Sequence, residues 1–137
     1  MLDLDDEVLV VAHQWVEKAE NDLKNAAHTV RLKTDCPTDT VCFHAHQCVE
    51  KYLKALLVLN DIEFTRTHQI STLLALVPAQ ARPLLSQAEQ DRLTEYAVTT
   101  RYPGDYDPIP REEALDAVRL ARRVRNQVRR RLPEAVR

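Results

Sequence analysis

The stretch VCFHAHQCVEKYLKALLVL, residues 41–59, decides the fold. Val41, Ala45, Cys48, Tyr52, Leu56 and Leu59 recur at steps of three and four, which places them on one face of an α-helix. Val49, Leu53 and Leu57 widen that face beyond what a surface helix carries, so the spacing predicts a central, largely buried helix. Pro37 precedes it. The helix is expected to run from Thr38 or Asp39 to Asn60, with Asp39 as its N-cap.

Upstream, Val8, Ala12, Trp15, Ala19, Leu23, Ala26 and Val30 form a second stripe with helical spacing, which predicts a helix from about Asp5 to Lys33. The sequence Thr34-Asp35-Cys36-Pro37 ends it, because proline lacks an N–H and disfavours helix in the residue before it. Downstream, a polar connection over 61–69 contains Thr67 and His68. A short helix follows, with Ile70, Leu73, Leu74 and Val77 inward and Pro78 at its end. Residues 81–100 read as helical again, interrupted near Pro83, with Leu85, Ala88, Leu93, Tyr96 and Ala97 as their apolar positions. Residues 101–108 form a loop around Pro103-Gly104. A last helix is expected to open at Pro110, with Glu112 and Glu113 suited to its N-terminal dipole, and with Ala114, Ala117, Ala121, Val124, Val128 and Leu132 inward. Gly104 is the single glycine and no run alternates with strand period. The expectation is an all-α, up-and-down bundle of four or five helices, one domain over 1–137 with its core at about 8–132.

Hydrophobic residues make up 45% and charged residues 29%, a globular balance that excludes a disordered chain. No apolar run approaches the roughly 18 residues of a membrane helix, and the N-terminus is acidic where a secretion signal is basic, so a cytoplasmic protein is expected. Cys36, Cys42 and Cys48, an odd count, read as reduced thiols. The net charge of -2 conceals an asymmetry: residues 1–110 hold 10 Lys+Arg against 17 Asp+Glu, and residues 111–137 hold 9 Arg against 4 acids. Such an end is either a solvated basic face or a surface for phosphate and carboxylate.

Phe43, Gln47, Glu50, Lys51 and Lys54 form a polar stripe on the helix at 38–60, expected on the side away from its core. Glu50 and Lys54 read either as a surface ion pair one turn apart or as part of a phosphate-binding cleft. Cys42, His44, His46 and Cys48 resemble metal ligands, but on a helix they fall into two couples on different faces, so no metal is expected. His68 sits just before a helix, and Arg101 and Tyr102 stand at a helix end with a fixed turn after them; the Arg fork suits phosphate or carboxylate. One glycine excludes the glycine-rich phosphate loops, and neither a zinc-protease motif nor a serine triad order occurs.

Four ordered elements together resemble the HEPN family (higher eukaryotes and prokaryotes nucleotide-binding). Residues 43–57, FHAHQCVEKYLKALL, are similar to the family's "EKxLKALL" signature. Thr67-His68 and a Leu-rich helix follow at the expected distance. Arg101-Tyr102-Pro103 matches its "aRYP" element, and Trp15, Ala19, Asp22 and Leu23 match its first helix. The resemblance spans about residues 8–132. It implies a helical bundle that forms a homodimer. Many members accompany a minimal nucleotidyltransferase as a toxin–antitoxin pair, some are proposed to bind nucleotides, and others are ribonucleases. The ribonuclease members carry an Arg, four to six further residues and a His. Arg125-Asn126 resembles the start of that motif, but no His follows it in this chain, which argues against ribonuclease activity.

The expected function is therefore binding of a nucleotide, a nucleotidyltransferase partner, or both, through Gln47, Glu50, Lys51, Lys54, His68, Arg101 and Tyr102, with no cofactor and no catalytic residue. The alternatives are a metal-independent ribonuclease toxin and a non-catalytic adaptor that docks through its Arg-rich last helix.

Overall fold

A computed structural model describes residues 5–99, 103 and 107–137. Among them are five α-helices, α1 (Asp6–Thr29), α2 (Thr38–Leu59), α3 (Ile70–Leu76), α4 (Gln87–Thr99) and α5 (Arg111–Arg129), with a single 3-10 turn at Ala79–Ala81 after α3. No strand occurs among the described residues, and no described helix is long and apolar enough to cross a membrane. The protein is an all-α bundle.

Local chemistry sets the helix ends. Asp5 caps α1 by accepting the Glu7 N–H at 3.2 Å. The other end of α1 is closed from α5, where Arg111 donates to the Val30 carbonyl through Nε and Nη2 at 3.1 and 2.7 Å. Pro37, not Asp39, is the cap residue of α2. Asp39 lies inside the first turn, where its Oδ1 accepts the Thr40 N–H at 2.9 Å, so the expected Asp39 cap is corrected. Asp61 adopts φ 54° after α2, and the Ile62 N–H reaches back to the Leu57 carbonyl at 2.9 Å while the Asp61 N–H reaches Val58 at 3.1 Å. These two bonds form the Schellman arrangement that glycine usually supports, with aspartate in the left-handed position instead.

The fourth helix begins later than residue 81. Ser86 and Glu89 form a reciprocal capping box: Ser86 Oγ accepts the Glu89 N–H at 3.1 Å, and Glu89 Oε1 accepts the Ser86 N–H at 2.9 Å. Residues before it run extended, and Arg82 turns back to the Val77 and Ala75 carbonyls at 2.7 and 3.0 Å.

Helix α2 is the centre. It packs on α1, α5, α4 and α3, and 14 of its 22 residues are buried, including Val41, Ala45, Cys48, Val49, Tyr52, Leu53, Leu56 and Leu57. From the other helices Ala12, Val16, Ala19, Ile70, Leu73, Leu93, Ala121, Val124 and Val128 fill the same core. The three cysteines are free thiols, and burial pushes Cys42 up to about 12, ahead of the nearby Glu113 carboxylate, so it packs as an inert small side chain.

Candidate functional site

The polar stripe of α2 is divided: Phe43, Gln47 and Lys51 are half-buried, whereas the two residues between and beyond them are sealed in the interior. Glu50 and Lys54 are 2% and 8% exposed, which corrects the expectation of a surface pair. Lys54 Nζ donates to Glu50 Oε2 at 3.1 Å, and the other carboxylate oxygen, Oε1, accepts His68 Nδ1–H at 2.7 Å. The Lys54 ammonium also lies 5.1 Å from the Trp15 ring centre and 5.7 Å from that of Phe64, so two aromatic faces replace part of its lost water. His46, fully buried, donates from Nε2 to the His68 carbonyl at 2.8 Å. Burial pushes His46 below the ordinary histidine range, against the pull of that carbonyl and of Glu50, so its ring is neutral. Nδ1 lies 3.1 Å from the Gln47 side-chain amide. The side chains of Gln47, His46, Glu50, Lys54 and His68 thus form one connected network, which fastens the connection after α2 onto the helix.

Lys51 belongs to a different cluster. It donates to Asp22 Oδ2 at 2.6 Å, and His44 Nδ1 donates to Oδ1 of the same carboxylate at 2.8 Å. Lys51 is therefore not joined to His68. Arg101 and Tyr102 lie outside the described residues. No group of three or more His, Cys, Asp or Glu able to hold a metal ion occurs among the described residues.

A third cluster links the first and last helices and was not among the expected site residues. Glu20 of α1 accepts hydrogen bonds from the Tyr52 hydroxyl, from Arg125 Nε at 2.6 Å and from Arg129 Nη1 at 3.4 Å. Burial works to raise the Glu20 carboxyl, but the bonds from Tyr52 and Arg125 outweigh it and hold the group below its ordinary value of 4.5. Arg125, Asn126, Arg129, Arg130 and Arg137 line a cavity of about 490 Å³ beside this brace. Glu20 is the only acid side chain paired with these arginines among the described residues, and Arg130 makes no ion pair there. Guanidinium groups held from behind by a half-buried carboxylate, with donors left over, can take a phosphate or carboxylate without first being ordered. The sequence held two signals for this cluster, the excess of arginine after residue 110 and the Arg125-Asn126 pair, but the partner on α1 stands 105 positions from Arg125.

The depressed Glu20 carboxyl gives a pH prediction. A carboxyl whose folded pKa is lowered stabilises the fold above its unfolded value, and this contribution is lost as pH falls through the folded value. Between pH 6 and about pH 3 the Glu20→Gln variant should therefore lose less of its stability than the parent chain, as read by denaturant midpoints across that range.

The comparisons with known proteins agree with this architecture. A curated protein of Methanocaldococcus jannaschii named "Putative toxin MJ1304" is 37% identical over 103 residues, covering 69% of this chain and 65% of the relative, so the match spans just under two thirds of that protein. The crystal structure of TT1696 from Thermus thermophilus superposes with a TM-score of 0.71 at 28% identity, covering 88% of this chain and 98% of that one. The HEPN domain model matches residues 12–131, from the first turns of α1 to beyond the end of α5, and with the bundle built around residues 41–59 this makes the chain a member of the HEPN domain family.

Proposed function

We propose that this HEPN-domain protein is a toxin-like protein that binds a phosphate-bearing ligand, a nucleotide or an RNA, in the arginine-lined cavity at the C-terminal half of α5. The observation that carries the reading is the convergence of Arg125, Arg129, Arg130 and Arg137 on one cavity, with Arg125 and Arg129 already oriented by Glu20. Arg125-Asn126, the start of the family's ribonuclease motif in the sequence, stands in this cavity, while the motif's His does not follow. Binding without cleavage is the chemistry that remains. The α2 set supports the ligand site less well, because Glu50 and Lys54 neutralise each other in the interior and Lys51 is engaged by Asp22.

The toxin-like role rests on the family and on the name of the archaeal relative. An accompanying minimal nucleotidyltransferase and a homodimer remain part of the proposal on the strength of the resemblance alone.

Titration of the purified chain with ATP and with a short single-stranded RNA tests the ligand. Binding should weaken as salt rises, with a slope for RNA of about -0.7 per phosphate contact, so roughly -2 to -3 for three or four arginines. A salt-independent affinity, or none for either ligand, is the result that removes this reading.

A further inference from the structure

Past Glu20 the outer face of α1 is cationic. Lys24 stands one turn on, with His28 and then Arg31 beyond it, and all three are exposed. With Asn21, Asn25 and Ala27 they line a second recess, of about 680 Å³. Glu20 and Lys24 have the spacing of an ordinary surface pair, yet that carboxylate is turned to Tyr52, Arg125 and Arg129. Lys24, His28 and Arg31 make no ion pair among the described residues.

The two recesses run end to end. Helix α5 lies antiparallel to α1: Arg111 at its start donates to the Val30 carbonyl at 2.7 Å, Arg125 meets Glu20, and beyond its end the Val136 carbonyl accepts His13 Nδ1–H at 3.0 Å. The arginine cavity therefore borders α1 between His13 and Glu20, and the second recess takes over at Asn21. From His13 to His28 the helix rises about 22 Å. The three phosphates of one nucleotide cannot reach both ends, whereas a stacked strand places about six phosphates in that length, at about 3.4 Å each. The described lining of the two recesses holds cations, three asparagine amides and Ala27, with no acid and no Phe, Tyr or Trp ring. Such a surface holds phosphates and gives bases no aromatic side chain to stack on.

We propose that the recess on α1 is a second phosphate site, continuous with the arginine cavity, and that the two together hold a single RNA strand by its backbone without reading its bases. The inference rests on the arginine cavity binding phosphate and adds to it the length of the ligand and its indifference to sequence. Arg125 and Arg129 anchor one stretch of the strand, and Lys24 and Arg31 take phosphates further along it.

The test measures the affinity of the full chain for ATP and for oligo-uridylate and oligo-cytidylate of about 12 nucleotides, within the range of single-strand site sizes. Both RNAs should bind about tenfold or more tighter than ATP, and within about twofold of each other. In Lys24→Ala with Arg31→Ala, RNA affinity should fall about tenfold at about 0.1 M salt and the salt slope should shrink by about 1.4, which is two contacts at about 0.7 each. ATP affinity should change less than about twofold, because one nucleotide stays in the arginine cavity. Both residues are exposed, so the helical spectrum should not change. A variant that loses the same charge elsewhere, Arg66→Ala with Arg92→Ala in the connection after α2 and on α4, should leave RNA binding nearly intact. The inference alone is overturned, with the arginine cavity still a ligand site, if ATP binds and RNA binds no tighter, if the two RNAs differ widely, or if the α1 variant loses no more than its control. Binding of neither ATP nor RNA overturns both the cavity and the strand.

Discussion

The Glu50→Ala variant should lose about 3–5 kcal/mol of folding stability, the cost of leaving one member of a buried ion pair without its partner. The reason lies in what remains. Lys54 would keep its ammonium over Trp15 and Phe64, 8% exposed, without the one carboxylate paired with it among the described residues, and His68 would lose the acceptor that orients its ring. An alanine also leaves a void at a buried position of α2. Denaturant unfolding of parent and variant measures the difference. A double variant, Glu50→Leu with Lys54→Met, should recover most of the loss, because buried pairs replaced by apolar groups of similar volume are close to neutral. A Glu50→Ala variant as stable as the parent would mean that the carboxylate is not part of the interior.

The second large effect concerns the ligand. Removing both braced arginines, Arg125→Ala with Arg129→Ala, should weaken ATP or RNA binding about a hundredfold, taking roughly 1.4 kcal/mol for each charge-assisted hydrogen bond removed. The fold should tolerate the change, since the Arg125 and Arg129 side chains are 30% and 27% exposed and Glu20 keeps the Tyr52 hydroxyl. Arg119→Ala is the matched control. Its side chain is 70% exposed and among the described residues pairs only with Asp116 on the same helix, so affinity should stay within the small change expected from one distant charge.

The fold was legible where the sequence repeats at helical spacing. Helices α1, α2 and α5 bury the stripes read from the chain, at Ala12, Ala19, Leu23 and Ala26, at Val41, Ala45, Cys48, Tyr52, Leu56 and Leu59, and at Ala114, Ala117, Ala121, Val124 and Val128. The start of α4 was written in the sequence as Ser86-Gln-Ala-Glu89, a capping box, but the apolar positions around Leu85 drew the helix too early. The polar residues were harder to place for a physical reason. On a helix seen alone, Glu50 and Lys54 are a pair one turn apart, and the same spacing serves a solvated surface or a sealed interior. Burial is decided by Trp15 on α1 and by Phe64 and His68 in the connection after α2, and no periodicity within α2 reports them. The arginine cavity was hidden in the same way. The basic end was plain from composition, but which arginines are oriented depends on Glu20, brought across from α1 by the pairing of the helices.

The most direct test of the account is a titration of the 15N-labelled chain with ATP, following the side-chain Nε–H signals of its arginines together with the backbone. Saturable shifts at Arg125, Arg129 and Arg130, with Arg66 and Arg119 unmoved, are the predicted result. Shifts confined to Lys51, His68 and their neighbours, with the α5 arginines silent, would contradict the account and return the ligand to the α2 face.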